Sequence, residues 1–567
     1  MVDAKHDPTG YLTTVSGPVV STTPWRNVID TCHVAIMKTS PALARRTSLI
    51  IAAVALFAIV RSGMAEVPTV EVPVEAWAKW HGTQIEGAEA ETTAVALDAR
   101  DNVIVTGHAF GFWYTAKYAS TNGELLWERH GPPGNAIAVA VDAGGNAIVI
   151  GSSNIMKHAA ADGAVLWEQR FNGNATNDAV AATATAMALD HQGNVAVTGS
   201  AGGSLQHSGL YTAIYAASNG VLLWERRMDG PASSRAGGSA IAVDSYGNVL
   251  VTGSSGPVDE QYTAKYEAAD GRLLWEQRQP GGAGQLLALS ANDDVVTIGY
   301  DISEGKRSMN KYAADTGALI WSVPQANSNN ATRGEARAMA LDSRGNVVVV
   351  GTMIWPRCSG GDITVALNTG SFVEKYASAD GALLWRCEDL PCLNTEGGAA
   401  VVIDHHDDVI VLRADFHTSK YAGRDGTVLW ETRNTGSDSL ENERTSSNRC
   451  LAVAVDGSVV ITGGADGTHG RGGVVKPKAS TAVKYVMTQV TYPTPITIAL
   501  SMDYLHDCRN LRFDGDVGRT YRLQRAANPS GPWGTIALLK ADSTGAVDRS
   551  DCWPSYYLPL FYRVVAP

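Results

Sequence analysis

The stretch Ala240–Arg278, AIAVDSYGNVLVTGSSGPVDEQYTAKYEAADGRLLWEQR, decides the fold of this chain. Its first half is two apolar runs separated by a turn rich in Asp, Gly and Asn, Asp244–Asn248, and this pattern predicts a β-hairpin. Its second half pairs Lys265–Tyr266 with Leu273–Glu276 across an Asp-Gly turn, which predicts a second hairpin. Four antiparallel strands in roughly fifty residues, repeated along a chain, are typical of a β-propeller blade.

The first hairpin recurs, and the residues that mark its turn are Asp98, Asp142, Asp190, Asp244, Ser290, Asp342, Asp404 and Asp456. The second hairpin recurs with it, and a tryptophan strand closes all but the last copy, at Trp127, Trp167, Trp224, Trp275, Trp321, Trp385 and Trp430. An unmatched tryptophan strand around Trp77 precedes the first hairpin. We therefore predict an all-β, eight-bladed propeller in which the N-terminal strand completes the last blade and removes the open edges.

Two side chains of the repeat have predicted structural roles. One tryptophan per blade at a fixed place indicates packing between blades. The aspartate of each first turn is expected to accept backbone N–H groups of that turn, because the motif lacks the dense carboxylates of a calcium loop.

The N-terminal region is expected to lie outside the folded domains. Residues 1–36 show no usable pattern and could be an over-long start, whereas 37–65 combine basic residues with the apolar run Leu49–Val60. That arrangement predicts a signal peptide cleaved after Ala65, with an uncleaved anchor as the alternative. We expect a linker at 66–75, the propeller at 76–489 and a C-terminal module at 490–567. The protein would then be exported, to the periplasm, the cell surface or the medium, without membrane insertion after cleavage.

Charge and cysteine content narrow the possible partners. Residues 1–65 carry six basic and three acidic side chains, so their removal takes the net charge from −12 to about −15. An acidic chain without clustered Lys and Arg argues against nucleic acid as a partner. Six cysteines remain, and in an exported protein an even number favours disulfides over a metal. We expect Cys508 to pair with Cys552, and three connectivities are open to Cys358, Cys387, Cys392 and Cys450.

The motif Asp-x-x-Gly-Asn, an apolar strand, Thr-Gly, and then Lys-Tyr, Asp-Gly and Leu-Trp resembles the bacterial secreted β-propeller repeat. The segment Tyr312–Trp321 resembles the tryptophan-docking repeat of quinoprotein dehydrogenases, which implies their eight-bladed fold. Their chemistry is not implied, because the chain has no adjacent Cys-Cys pair and no Cys-x-x-Cys-His haem site. The C-terminal segments Gly518–Arg525 and Phe561–Pro567 resemble a small β-sandwich module that ends many secreted bacterial proteins.

The connections between strands differ on the two faces of the predicted propeller. The hairpin turns, such as Asp244–Asn248 and Asp270–Gly271, are nearly uniform and lie on what we call the turn face. The other connections vary in length and lie on the loop face, where functional residues are expected. Our candidates for ligand binding there are Arg333, Glu335, Arg337, Arg444, Arg449, Trp355, Arg357 and Trp113, beside Phe112. The alternatives are a solvated rim for the charged residues and ordinary loop packing for the aromatic ones.

A cluster on the turn face, His405-His406-Asp407-Asp408, resembles a metal site by composition. It replaces a uniform turn of the seventh blade, so we predict a solvated turn and no metal site.

The leading functional hypothesis is an exported, monomeric, non-catalytic propeller that binds or scaffolds a protein or glycan through its loop face. No cofactor is expected under this hypothesis. The alternative is a propeller enzyme, either polysaccharide-active or dehydrogenase-like with pyrroloquinoline quinone and calcium. The chain contains no Gly-x-Ser-x-Gly, His-Glu-x-x-His or phosphate-loop motif.

Overall fold

The computed structural model describes most of the propeller and the strands that follow it. The described residues are 69–82, 90–171, 182–204, 207–228, 236–255, 260–280, 282–301, 306–325, 333–355, 368–388, 398–413, 416–433, 445–465, 479–491, 498–503, 508–514, 520–526, 534–540, 546–552 and 561–565. All regular structure in these ranges is β-strand. Within them, no helix is both long and apolar enough to cross a membrane.

The region Thr69–Thr491 forms eight four-stranded antiparallel sheets, the blades of a propeller. Strand β1 is Thr69–Gly82. Blade one contains β2 (Ala90–Leu97), β3 (Val103–Ala109), β4 (Phe112–Tyr118) and β5 (Leu125–Pro133), and blade two contains β6 (Ala136–Val141), β7 (Ala147–Gly151), β8 (Asn154–His158) and β9 (Val165–Arg170). Blade three contains β10 (Ala182–Leu189), β11 (Val195–Ser204), β12 (His207–Tyr215) and β13 (Leu222–Met228), and blade four contains β14 (Gly237–Val243), β15 (Val249–Ser255), β16 (Glu260–Tyr266) and β17 (Leu273–Gln279).

Blades five to eight continue the same order. Blade five contains β18 (Ala283–Leu289), β19 (Val295–Asp301), β20 (Lys306–Tyr312) and β21 (Leu319–Gln325), and blade six contains β22 (Arg333–Leu341), β23 (Val347–Trp355), β24 (Asn368–Tyr376) and β25 (Leu383–Glu388). Blade seven contains β26 (Gly398–Ile403), β27 (Val409–Arg413), β28 (His417–Tyr421) and β29 (Val428–Arg433). Blade eight contains β30 (Thr445–Val453), β31 (Val459–Ala465) and β32 (Ala479–Thr491), with β1 as its fourth strand.

The closure predicted from the sequence is confirmed. Strand β1 pairs with β32 from Thr69 opposite Thr491 to Gly82 opposite Ala479. The first strands of neighbouring blades contact one another in an unbroken circle, from β2 through β30 and back to β2. The expected linker at 66–75 is wrong from Thr69 onward, because alternating valines and glutamates make this segment part of the closing strand. The predicted leader and its cleavage after Ala65 lie outside the described residues.

The core of the propeller lies between neighbouring blades rather than within one blade. The second strand of each blade is a continuous buried apolar run, as in Val249, Leu250 and Val251 of blade four. These side chains pack against the adjacent blade together with a tryptophan such as Trp224 of blade three. Because both faces of every sheet are covered in this way, the strands lack a simple alternation of apolar and polar residues.

The C-terminal region forms two three-stranded antiparallel sheets. One has the order β33 (Ile498–Asp503), β34 (Cys508–Asp514) and β37 (Ala546–Cys552), and the other has the order β36 (Gly534–Lys540), β35 (Thr520–Ala526) and β38 (Phe561–Val565). The segments Gly518–Arg525 and Phe561–Pro567, which carry the predicted resemblance, coincide with β35 and β38. The β-sandwich stays a prediction.

Four of the six cysteines for which disulfides are predicted lie in the described residues. Cys508 lies directly opposite Cys552 in the register of β34 and β37, and the bond between them stays a prediction. The disulfides expected for Cys387 and Cys450 are not confirmed by the structure. Their thiols instead donate to the backbone of an adjacent blade, to Gly426 O at 3.3 Å and to Thr93 O at 3.0 Å. Cys358 and Cys392 lie outside the described residues.

Candidate interaction face

The aspartate of each repeat organises the turn face, as blade four shows. Asp244 Oδ1 accepts the N–H groups of Tyr246 and Asn248 at 2.9 and 2.8 Å. The side-chain amide of Asn248 donates to Asp244 Oδ2, and its Oδ1 accepts the N–H of Ala268 in the second hairpin turn. The prediction that this aspartate binds backbone N–H groups of its own turn is therefore confirmed.

The lysine and tryptophan of the repeat join each blade to the next on the same face. Lys265 Nζ lies 2.8 Å from Asp244 Oδ2 and also donates to the carbonyl of Ala314 in blade five, at 2.8 Å. Trp275 Nε1 donates to that same carbonyl at 3.2 Å. Burial alone would raise the pKa of Asp244, but hydrogen bonds from Lys265 and Asn248 outweigh it and hold the pKa below its usual value.

We call this group of Asp, Lys, Trp and carbonyl oxygen the clasp. The same sharing of one carbonyl occurs at Lys117 and Trp127, Lys157 and Trp167, Lys311 and Trp321, and Lys375 and Trp385. In blade three Ile214 replaces the lysine, and Trp224 alone donates to the carbonyl of Ala268. The predicted role of the tryptophans in packing between blades is thus confirmed.

The eighth blade departs from the predicted marker. The bond from Asp244 N to Asn248 O corresponds to the bond from Ala454 N to Ser458 O, so Ala454 and not Asp456 occupies the marker position. The prediction was wrong by two positions because only the turn composition was visible in the sequence.

The acidic side chains of the predicted histidine-aspartate turn bind neighbouring backbone. Asp407 has a left-handed backbone with φ 63°, and its carboxylate accepts the N–H and the hydroxyl of Ser343 in blade six. Asp408 Oδ1 accepts the N–H of Gly423 at 3.0 Å. This turn therefore contributes to the junction between blades six and seven.

The half of each blade junction that lies nearer the loop face is not uniform. The side chain four residues before the clasp lysine, or before Ile214, lies in this half and varies in chemistry among the described junctions. The buried examples are Trp113, Leu210, Gln261, Arg307, Ser371 and Phe416. Chemical variety in the propeller is therefore concentrated toward the loop face.

Trp113 is a core residue and not part of a loop, which corrects its predicted placement. It lies within β4 and is 3% exposed. Its ring occupies the space above Gly151, where an added Cβ would lie 2.0 Å from the ring, and it also lies close to Gly131. Small residues around the ring let it pack flat between blades one and two, so it offers no surface to a ligand.

An aromatic hairpin tip lies beside Trp113 and does face solvent. Phe110 and Gly111 form the two-residue turn between β3 and β4, with φ of 56° and 80°, as in a type I′ turn. Phe110 is 49% exposed and Phe112 is 45% exposed. Phe112 lies opposite Pro133 of β5. We call Phe110, Phe112 and Pro133 the aromatic tip.

The aromatic tip is held rigidly. The N–H of Gly134 donates to Gly111 O at 2.8 Å, which ties the turn to the end of β5. Beneath it, Trp113 packs with Val149 and Met156 of blade two. Sequence reasoning missed Phe110, although Phe-Gly at the place of the usual Asn-Gly of a type I′ turn was a visible signal.

The structure brings together two of the predicted charged residues. Glu335 and Arg337 lie on β22 and form an ion pair of 3.1 Å, with side chains that are 41% and 53% exposed. The other candidates are described only by their backbone pairing or lie outside the described residues. Arg333 pairs with Ile354 and Trp355 pairs with Asn368 at strand ends, and Arg449 pairs with Gly463 within β30. Arg357 and Arg444 are not described. Their convergence at the channel mouth stays a prediction.

A buried charged cluster lies between blades five and six. Glu374 is fully buried, and its Oε1 accepts bonds from Arg386 while its Oε2 accepts the Tyr376 hydroxyl at 2.6 Å. Arg307 of blade five lies 3.6 Å from Glu374 Oε2, and Arg386 Nε lies 2.8 Å from Glu388. Burial lowers the pKa of Arg307 and raises that of Glu388. Sequence reasoning missed this cluster because Arg307 meets the other members only through a contact between two blades.

The fold and the clasps define a closed eight-bladed propeller with a structural turn face and a variable loop face. Residues 115–259 and 213–378 match the family described as outer membrane protein assembly factor BamB. This match, with the fold likeness to a quinohemoprotein dehydrogenase given below, confirms the predicted resemblance to quinoprotein-type propellers.

Two solved structures illustrate the similarity. Quinohemoprotein alcohol dehydrogenase from Comamonas testosteroni is 13% identical, with a TM-score of 0.51 over 76% of this chain and 79% of that one. BamB from Moraxella catarrhalis is 13% identical, with a TM-score of 0.43 over 73% of this chain and 100% of that one. No curated protein sequence matches the chain. At these identities the likeness concerns the fold alone.

Proposed function

We propose that this protein is an exported, non-catalytic scaffold that binds a protein partner through its loop face, with the aromatic tip as an anchor. The observation that carries the proposal is the exposure of Phe110 and Phe112 on a rigid turn. Aromatic side chains that are fixed before binding lose little conformational entropy, which is typical of the anchors of protein interfaces.

The use of polar groups on the two faces supports this choice. The clasp aspartates, lysines and tryptophans of the turn face are engaged with neighbouring blades, as at Asp244 and Lys265. The loop-facing half instead carries side chains that differ from blade to blade and an exposed ion pair, Glu335 with Arg337. Binding specificity requires such non-repeating chemistry, and the repeated face does not supply it.

The shape of the aromatic tip favours a protein over a small ligand. A small molecule is bound in a concave pocket that covers most of its surface. A two-residue hairpin turn is convex, so its aromatic side chain fits into an apolar groove of a partner. Export is supported by the predicted leader and by the match to a family described as an outer membrane assembly factor.

The test is site-specific photo-crosslinking in the native host, with full-length protein carrying benzoylphenylalanine at Phe112. The matched control carries it at Tyr246, an aromatic residue of the turn face that is 77% exposed. We expect a discrete, protease-sensitive adduct from position 112, its loss when Phe110→Asn is added, and no equivalent adduct from position 246.

Equal adducts from both positions, or no adduct from position 112, would contradict the proposal. So would turnover of alcohols after addition of pyrroloquinoline quinone and calcium, or turnover of a polysaccharide, if loop-face substitutions such as Arg337→Ala abolish it. Those results would support the enzyme alternative.

A further inference from the structure

Arg307 is a buried cation whose donors are unused. Its side chain is 1% exposed, and none of its three guanidinium nitrogens has a hydrogen-bond partner among the residues that the structure describes. Its charged neighbour Glu374 lies 3.6 Å away, which exceeds a hydrogen-bond length. Both oxygens of Glu374 are already occupied, by Arg386 and by the Tyr376 hydroxyl. Unmet donors on a buried cation cost folding free energy, so the arrangement needs an explanation.

The fold itself does not require an arginine at this position. The equivalent side chains at other junctions are apolar, such as Leu210 and Phe416, or have their bonds satisfied. Gln261, for example, donates to Thr297 Oγ1 at 2.9 Å and accepts from Asn310 at 3.3 Å. Arg307 is the described member of this series whose polar atoms have no hydrogen bond.

The N–H groups of Arg307 lie in the plane of the guanidinium, so a hydrogen-bonded ligand must approach in that plane. Its carbon lies 4.3 Å from the ring centre of Phe372, which covers one face of the group. An acceptor must therefore bind in the guanidinium plane, where two parallel N–H groups match the two oxygens of a carboxylate. Arg307 is the second residue of β20, which begins at the loop face, so such a group would arrive from that side.

The cluster around Arg307 carries a net positive charge when Glu388 is protonated. Arg307 of blade five and Arg386 of blade six lie beside Glu374 and Glu388 of blade six, which makes the cluster neutral when all four are charged. Burial raises the pKa of Glu388 above its usual value, which favours its neutral form. Protonation of Glu388 would give the cluster a net positive charge, to which an anion is attracted.

We propose that Arg307 is the anchor of a carboxylate-binding site at the buried junction between blades five and six. This site is separate from the aromatic tip of blade one, so it can fail without affecting the proposed function. Its ligand class is a carboxylate, either a free small acid or an acidic group of a peptide.

The experiment measures the melting temperature of the full chain at increasing acetate, with acetamide at matched ionic strength as the neutral probe. We expect acetate to raise the melting temperature by about 1–2 °C at concentrations well above its dissociation constant, and acetamide to have no effect. An acetylated aspartate amide added in the same way distinguishes a peptide side chain from a free acid, since a site for peptides binds it more tightly than acetate.

Two variants make the result specific. Arg307→Met should abolish the acetate effect while its own melting temperature stays equal or rises, because an apolar side chain replaces a costly buried cation. The matched control is Arg278→Met, which removes an arginine that lies 5.1 Å from the ring of Tyr262 but is bonded to Glu276 and 42% exposed. It should keep the acetate effect. No acetate effect in the unaltered protein, or an effect that persists in Arg307→Met, would overturn the proposal.

Discussion

Lys420 Nζ lies 3.2 Å from the carboxylate of Glu71, 349 residues away along the chain. At the other lysine clasps between consecutive blades the lysine donates to a backbone carbonyl of the next blade's second hairpin turn, as Lys265 does to Ala314. The eighth blade has no such turn, because its fourth strand is supplied by β1 from the other end of the chain. A glutamate of the closing strand therefore replaces the missing carbonyl.

Glu71→Gln should weaken this closure without breaking it. The pair is partly exposed, since the Glu71 side chain is 35% exposed, so we expect a loss of about 0.5–1 kcal/mol in the free energy of unfolding. Urea denaturation measures the loss, and Glu75→Gln, an exposed position on the same strand, is the control. Equal effects of the two substitutions would show that the ion pair does not contribute to closure.

The same missing turn affects Trp430. Its Nε1 is buried and has no hydrogen-bond partner among the described residues, whereas Trp275 Nε1 donates to Ala314 O at 3.2 Å. Replacement of the tryptophan by Phe therefore removes a hydrogen bond at position 275 but not at position 430. Trp275→Phe should therefore cost about 1 kcal/mol more than Trp430→Phe in chemical denaturation. If Trp430→Phe is the more costly of the two, the clasp tryptophans do not act through this bond.

Lys265→Met should strongly destabilise the propeller, because it leaves the Asp244 side chain, which is 0% exposed, without its counter-charge. We expect a loss of about 3–5 kcal/mol in the free energy of unfolding. The double variant Asp244→Asn with Lys265→Met removes both charges and should recover part of this loss. A double variant as unstable as the sum of the single variants would show that the two side chains are not coupled.

The clasp aspartates also predict how stability depends on pH. Burial acts to raise the pKa of Asp142, Asp244 and Asp342, but their lysine partners and turn hydrogen bonds outweigh it and hold each pKa below the usual value. Their stabilising effect is therefore fully present above the unfolded-state pKa of about 4 and is lost as the pH falls through the lower folded values. Urea midpoints between pH 7 and pH 2 measure this, and Asp342→Asn should flatten the acid decline. An unchanged decline would contradict the assignment.

The regular part of the fold was readable from the sequence because every blade repeats the same turn and tryptophan chemistry. The closure by the strand around Trp77 followed from simple counting of tryptophan strands. The boundaries were less certain: the linker included Thr69–Glu75 because a strand completed by a partner more than 400 residues away leaves no local signal.

The candidate site could be predicted only in outline. The proximity of Glu335 and Arg337 was predictable because both lie on one strand, two residues apart. The burial of Trp113 could not be predicted, since it depends on the glycine at position 151 in the next blade. The cluster at Arg307 depends on contacts between blades, which no motif records.

The backbone of Phe110 distinguishes a binding role of this side chain from a structural one. Phe110 and Phe416 both have positive φ, at 56° and 59°, but Phe416 is 7% exposed and Phe110 is 49% exposed. Burial can offset the strain at Phe416, whereas at Phe110 about half of the side chain remains in solvent. Asn is a preferred residue at this place in a type I′ turn, so Phe110→Asn should stabilise the hairpin by about 0.5–1 kcal/mol.

The decisive measurement combines the melting temperature of Phe110→Asn with its crosslinking yield from position 112. We expect an equal or higher melting temperature together with loss of the adduct, because the Phe110 side chain contacts the partner and does not stabilise the fold. A lower melting temperature with the adduct retained would contradict this expectation and would assign Phe110 a structural role.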